Sequence, residues 1–354
     1  MQPFVYEALP TRVVFGSGTI SQLKLEAERL GVRRVLVLST PGRGAAQARE
    51  IAGLLGDLSV GVHAGAVMHT PVEATEKALQ VVRDLGADAV VAVGGGSTTG
   101  LGKAIALRTD LPQIVLPTTY AGSEMTPILG ETRDGEKTTQ RTPKVLPEVV
   151  IYDVDLTLGL PPAIAATSGM NAMAHAVEAL YARDRNPVIS LMAEEGIRSL
   201  ARALPRIVDD PHDRGARADA LYGAWLCGAC LGAVGMALHH KLCHVLGGTF
   251  DLPHAETHTI VLPHAVAYNA PAAPDAMERI ARALGVTDAA QGLFELTGHL
   301  GAKQALRDIG MPADGVELAV TAAMAAPYWN PRPVAEDELR DLLTRAWTGD
   351  PPRA

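Results

Sequence analysis

Two groups of residues in this chain have the types and spacing that chemistry needs. The first lies in the second half: Asn171-x3-His175, then His240-x3-His244-x9-His254. Side chains four residues apart share a helical face. Asn171 and His175 therefore point one way, and His240 points with His244. Several polar groups on otherwise apolar helices need a shared purpose. Neutral imidazoles bind divalent ions and also move protons, so the set predicts a metal centre or an active site. His239, His258 and His264 fall off this pattern. The first two read as flanking or hydrogen-bonding groups, the third as helix-associated. Cys227-x2-Cys230 has the spacing of a redox or zinc pair. With no second pair and no preceding thioredoxin-like strand, these cysteines read as inert core residues.

The second group is Gly94-Gly95-Gly96-Ser97, which follows an apolar strand and opens a helix. Glycines let backbone approach a ligand closely, and free helix N–H groups favour an anion. A phosphate or pyrophosphate is the natural guest. The motif is not G-x-G-x-x-G, and it follows the third or fourth strand rather than the first. Thr118-Thr119 ends the next strand, where its hydroxyls can reach the same ligand. Ser39-Thr40 ends an earlier strand, with no acid there to select a ribose 2′-OH and with Arg43 close by. The choice between NADH and NADPH stays open.

The elements that must position these groups are of two kinds. Up to about residue 155, strand patterns (12–15, 34–39, 58–62, 89–93, 113–116 and 149–153) alternate with helical ones, among them 19–30, 44–55 and a helix opening at Thr70-Pro71. Thr70 reads as its N-cap and Pro71 as its first helical residue. Apolar strands alternating with amphipathic helices predict a parallel sheet covered on both faces. Residues 131–142 are polar and predict a β-hairpin or an exposed loop. After Pro161-Pro162 the pattern becomes Ala-rich and helical throughout. The expected division is 1–158, an α/β dinucleotide-binding domain with a Rossmann-like parallel sheet, and 159–354, an all-helical substrate and catalytic domain.

Composition narrows the function classes. The 354 residues are 47% hydrophobic and 20% charged, which is globular usage. A net charge of −8, aromatics at 4% and no basic run exclude a nucleic-acid partner. Ala220–Leu238 is uncharged, contains Gly228-x3-Gly232 and has the length of a membrane span. Its Ala/Gly content and its run into the histidines favour a buried helix packed through small residues, so no membrane partner is expected. Three cysteines and an N-terminus without a signal-peptide pattern predict a reducing, cytoplasmic setting.

Taken together, GGGST at 94–98, PTTYAGSE at 117–124, GMNAMAHAVEA at 169–179, the His240/His244/His254 spacing and LPHAVAYN at 262–269 resemble the iron-containing (group III) alcohol dehydrogenases. The resemblance spans most of the chain. It implies dehydroquinate synthase-like architecture, with an α/β cofactor domain, a helical domain and a cleft between them. It implies NAD(P)H as cofactor, with Ser39, Gly94, Gly95, Gly96, Ser97, Thr118, Thr119, Ser123 and Lys137 as its contacts, and a homodimer. In the family an Asp and three His hold a metal. The matching positions are Asn171, His175, His240 and His254, and His244 matches a non-ligand histidine beside the substrate.

Asn171 departs from that pattern, because an amide is neutral and a poor ligand for a hard divalent ion. The departure resembles one branch of the family, the maleylacetate reductases, as do the Tyr328–Pro333 and Lys137–Arg141 segments. That branch reduces the C=C bond of 2-maleylacetate, and often of chlorinated relatives, to 3-oxoadipate in bacterial degradation of aromatics. The resemblance implies a vestigial metal site with no metal. His175, His240 and His254 would stabilise the enolate oxygen and bind substrate, His244 would be the acid, and Tyr328 a further donor. Asn171, Lys241 and Arg332 would contact the dicarboxylate substrate, with Arg141 and Lys144 less favoured. The competing readings are a metal-dependent alcohol or polyol dehydrogenase of the same family, and a non-catalytic nucleotide-binding protein. The retained histidines argue against the second.

Overall fold

Short apolar runs in the first half form strands because both of their faces are covered. The computed structural model describes residues 3–133, 135–325 and 328–353, and leaves the side chains of Glu136 and Lys137 outside the description. It divides into two units, Ala8–Leu160 and Pro161–Ala354, with the residues before Ala8 grouped with the second. The border thus falls at Pro161, two residues beyond the expected 158/159. A one-turn 3-10 segment, Val154–Thr157, follows the last strand before the helices begin at Pro162.

The first unit holds β1 (Arg12–Gly16), β2 (Val35–Leu38), β3 (Ser59–His63), β4 (Ala89–Gly94), β5 (Gln113–Pro117), the hairpin β6 (Ile128–Arg133) and β7 (Glu136–Arg141), and β8 (Val149–Asp153). Six strands form one parallel sheet in the order β1-β8-β5-β4-β2-β3. Its helices are α1 (Leu23–Arg29), α2 (Arg43–Leu55), α3 (Val72–Leu85) and α4 (Gly96–Thr109). One cluster joins Val35, Val37, Val91 and Ile114 with Leu23 and Ile51, and a second joins Leu36, Leu38 and Val90 with Leu79 and Leu101. Alternate residues of β2 and β4 thus enter opposite layers, as a doubly covered sheet requires.

Local details differ from expectation. Thr70 is not the cap of α3: its φ is 48°, and Pro71 occupies the N-cap position instead. A left-handed Thr70 has a carbonyl that accepts from Thr132, so tertiary pairing with the hairpin outweighs the capping preference. The segment predicted helical from Thr19 opens as a 3-10 turn, Thr19–Gln22, before α1. The hairpin begins at Ile128, three residues before the polar stretch that signals it.

Every described element after Pro161 is helical: α5 (Pro162–Tyr181), α6 (Pro187–Asp209), α7 (Arg214–Ala233), α8 (Leu238–Phe250), α9 (His254–Asn269), α10 (Pro274–Leu284), α11 (Ala289–His299), α12 (Gly315–Ala325) and α13 (Glu336–Thr348). The apolar stretch at 220–238 is broken between α7 and α8, which meet at 93°, and no single described helix is long and apolar enough to cross a membrane. Small residues do bring α6 and α7 together, at Gly196 and Gly223. A Cβ on Gly223 would stand 3.0 Å from the Gly196 carbonyl oxygen. Gly223 is thus a packing glycine of this stretch. A second core gathers Leu242 and Leu246 of α8, Val261 of α9, Val320 of α12 and Leu343 of α13.

Candidate active site

In the first unit the strand order reverses between β2 and β4, which pair through Val35–Leu38 and Ala89–Ala92. From β2 the chain proceeds outward to β3, and from β4 it proceeds the other way to β5. The carboxyl ends of strands at such a switch point are where open parallel sheets bind ligands. Gly94–Ser97 stands at one of these ends and Ser39 at the other, with the Ser39 hydroxyl buried and unpartnered. A Cβ on Gly95 would stand 2.7 Å from the Thr119 hydroxyl, so only glycine lets this turn lie against the Thr118-Thr119 segment. The Thr118 N–H donates to the Gly94 carbonyl at 3.0 Å. The predicted cofactor residues of β2, β4 and β5 are thus brought to one end of one sheet. Ser123 opens a short 3-10 turn, Ser123–Met125, on the same connection. Lys137 lies on β7, and its side chain is outside the described residues.

In the second unit, α5, α8 and α9 bring the histidines together. The His175 and His240 rings lie 5.1 Å apart, His240 and His244 6.4 Å, and His254 and His258 4.1 Å. His258 also lies 5.0 Å from His240 and 4.8 Å from His239. Asn171, His175, His240 and His258 are buried, whereas His244 and His254 are exposed. His258 is thus a member of the cluster rather than a flanking group. Spacing from His254 contained the signal, since 254 and 258 are one helical turn apart. His239 behaves as expected: its Nε2 lies 3.0 Å from the His258 carbonyl oxygen. His264 sits further along α9, edge-on to Phe294.

Glu178 organises this cluster, and nothing in the residue spacing singles it out. It lies on α5, three residues beyond His175, and is fully buried. Its carboxylate accepts from the backbone N–H groups of Ala237 at 3.0 Å and His239 at 2.9 Å, and meets His240 Nδ1 at 2.7 Å. It therefore caps the first turn of α8 from another helix, where the local sequence provides no side-chain cap. Burial raises the Glu178 carboxyl and its backbone donors offset part of this; as the acceptor at 2.7 Å, its carboxylate assigns the His240 proton to Nδ1. His240 Nε2, buried and without a partner, then carries a lone pair.

Burial, and then neighbouring imidazoles, hold His175, His240 and His258 well below the usual histidine range, so these rings are neutral. Burial and His240 bring His239 down to about 4. Asn171 Oδ1, His175 Nδ1 and both nitrogens of His258 are also buried without partners. Such groups are costly alone and mark where a ligand completes the hydrogen bonding. The family's metal positions are here an amide and three imidazoles, with no anionic donor. The nearby carboxylate, Glu178, is taken up by backbone N–H groups and by His240. A hard divalent ion loses here the charge compensation that a carboxylate gives, so this set is a weaker site for one than the family's. His239, His240 and His258 have one nitrogen each within 4.8 Å of the others, and they too are neutral.

Tyr328 and Lys241 meet, with the ammonium 5.4 Å from the ring centre. Burial raises the Tyr328 phenol, and its buried hydroxyl has no partner, so it is available as a donor. Tyr328 lines a cavity of about 270 Å³ with Met324, Asn330 and Arg332. Arg332, expected to meet a substrate carboxylate, has partners within the fold. Its guanidinium donates to the Tyr268 carbonyl at 2.9 Å and to Glu338 at 2.7 Å, and stacks on the Tyr268 ring. These bonds hold the 328–333 segment in place and engage both terminal nitrogens of Arg332 within the fold. Asn330 anchors the same segment, since its amide pairs with Asn269 and accepts from the Leu238 N–H. Arg141 has a partner, and Lys144 lies 3.8 Å from Asp110.

Comparison with known proteins identifies the family. The profile of iron-containing alcohol dehydrogenase matches residues 10–154, and that of the C-terminal part of the Fe-containing alcohol dehydrogenase family matches 165–347. A maleylacetate reductase of Sphingobium indicum is 58% identical over 349 residues, which cover 99% of each chain. The crystal structure of maleylacetate reductase from Agrobacterium tumefaciens is similar at a TM-score of 0.96 and 58% identity, covering 99% of this chain and 100% of that one. That of the Rhizobium sp. maleylacetate reductase has a TM-score of 0.96 at 56% identity, with the same coverage.

Proposed function

The chain belongs to the iron-containing alcohol dehydrogenase family, and we propose that within it this oxidoreductase is a maleylacetate reductase that works without a bound metal. The observation that carries the reading is Asn171, an amide at the position where the family's metal-holding site has an anion. Full-length relatives and structures bearing the maleylacetate reductase name favour it over an alcohol or polyol dehydrogenase.

The reaction needs no metal-bound alkoxide. NADH or NADPH gives a hydride to the alkene carbon remote from the ketone. The C=C pair moves toward the carbonyl, and negative charge gathers on the keto oxygen as an enolate. A proton then adds to the carbon beside it, giving 3-oxoadipate and the oxidised coenzyme. Hydrogen-bond donors stabilise that oxygen in a dry pocket. We assign this to Tyr328 and His175, with His254, and the final proton to the exposed His244. His240 takes a different part from the donor role first expected, because its Nε2 lone pair accepts a hydrogen bond from substrate or water. Asn171 donates its amide protons to the substrate, and Lys241 attracts a carboxylate. Chloromaleylacetates fit the same chemistry, since the reacting enone is shared. The α/β unit carries the dinucleotide at the Gly94–Ser97 turn. A cytoplasmic homodimer serving bacterial degradation of aromatics completes the proposal.

The test is turnover of freshly made 2-maleylacetate with NADH and with NADPH by chelator-stripped protein whose metal content is measured. Turnover with no stoichiometric metal is expected. Activity that returns only with zinc or iron, or that is confined to alcohols, would refute it.

A further inference from the structure

Helix α4 carries a lysine among apolar neighbours. Lys103 follows the glycine turn by two helical turns and is fully buried. Its Nζ donates to the carbonyls of Ser123, Thr126 and Ile128 at 2.5, 2.7 and 2.8 Å, and to the Thr126 hydroxyl at 2.9 Å. An ammonium has three protons, so this oxygen cage uses all of them. The nearby opposite charge is Glu124, itself buried and accepting from the Tyr152 hydroxyl at 2.9 Å. Burying a cation is costly, and a helix packed on all sides needs none for its own stability. The bonds made by Lys103 go instead to the segment that crosses the glycine turn.

That segment, 118–128, has two anchors. At its start Thr118 donates to Gly94. At its end stand the three carbonyls held by Lys103. Between them Thr119 lies against Gly95, and Ala121 Cβ would be 3.8 Å from a Cβ on Gly96. Where Thr119 and Ala121 stand over the turn therefore depends on both anchors. We propose that Lys103 is a positioning residue for the dinucleotide: it holds the 118–128 segment against the glycine turn, so that the backbone N–H and hydroxyl groups there converge on the pyrophosphate before it binds. The inference rests on the reading of this unit as the coenzyme carrier. Lys103 itself touches no ligand, and its contribution is preorganisation, which lowers the cost of ordering on binding.

The test compares the full-length wild type with Lys103→Met and Thr126→Val. NADH and NADPH are titrated by nucleotide fluorescence, and initial rates are measured with coenzyme and 2-maleylacetate varied in turn. Lys103→Met should raise the coenzyme Kd and KM about tenfold or more while kcat and the substrate KM stay within about threefold, because only preorganisation is lost. Thr126→Val removes one oxygen of the cage and should raise the same two constants by about two- to fivefold. A fall in thermal stability with unchanged coenzyme affinity would overturn the inference, leaving Lys103 a residue of the fold alone. If Lys103→Met does not fold, Thr126→Val decides, and an unchanged Kd overturns it. Wild type that binds neither coenzyme refutes the functional reading, and the inference falls with it. Wild type and variants that bind equally well refute the inference alone.

Discussion

Replacing Glu178 by Gln keeps the shape of the side chain and removes only its charge and one acceptor. In the wild type one oxygen serves the Ala237 N–H and His240 Nδ1, and the other serves the His239 N–H. The amide of Glu178→Gln has one oxygen. If it stays with Ala237 and His240, its NH2 faces the His239 N–H, and two donors meet in a fully buried place. An orphaned buried donor costs about 1–3 kcal/mol, and each remaining bond loses its charge assistance, so a loss near 3 kcal/mol is expected. The His240 tautomer is no longer held, which should lower kcat about 10- to 100-fold, the usual range for groups that orient a working histidine. All three tryptophans, Trp225, Trp329 and Trp347, lie in the helical unit. Urea unfolding followed by tryptophan fluorescence therefore reports that unit by itself, beside steady-state turnover of maleylacetate. A midpoint shift worth less than about 0.5 kcal/mol, together with unchanged kcat, would show that Glu178 neither caps α8 nor orients His240.

Asn171→Asp restores an anion to the imidazole set. Purified in the presence of zinc or iron, it should retain metal through a desalting column and lose reductase activity about tenfold or more, as the ion occupies the side chains meant for substrate; metal content equal to wild type would contradict the charge argument. Acid should weaken the fold. On going from about pH 7.5 to about pH 5 the unfolded chain binds a proton at His239 that the folded chain, at about 4, refuses, a loss of about 2 kcal/mol. His175, His240, His258 and His264, also lowered, add in the same direction, while Glu178, raised by burial, opposes these histidines as one group against five. A urea midpoint for the helical unit that does not move between these conditions would refute this account. Gly95→Ala puts a methyl 2.7 Å from the Thr119 hydroxyl. The displaced threonine should weaken NADH binding by about 1–3 kcal/mol with little change in the substrate KM, and a nucleotide titration identical to wild type would remove Gly95 from the site.

Periodicity and spacing along the chain determine much of this protein. Buried strands such as β4 and amphipathic helices such as α3 are local patterns, and alternating them leaves a parallel sheet as the way to cover both strand faces. The glycine turn after β4, the Asn171/His175 pair of α5 and the His240/His244 pair of α8 are legible for the same reason: helical and strand periods settle which side chains share a face. Which face meets which is a matter of tertiary structure. Glu178 reaches the start of α8 from α5, across a separation of 59 residues to Ala237. Arg332, by type an ideal carboxylate clamp, is occupied by a carbonyl 64 residues away. Lys103 looks like an ordinary solvated helix charge until the connection after β5 folds over it, and Thr70 looks like a cap until the hairpin pairs with its carbonyl. In each case residue type states what a group is able to bind, and only the packing of distant segments decides what it does bind, because a buried polar group must take the partner the fold brings to it.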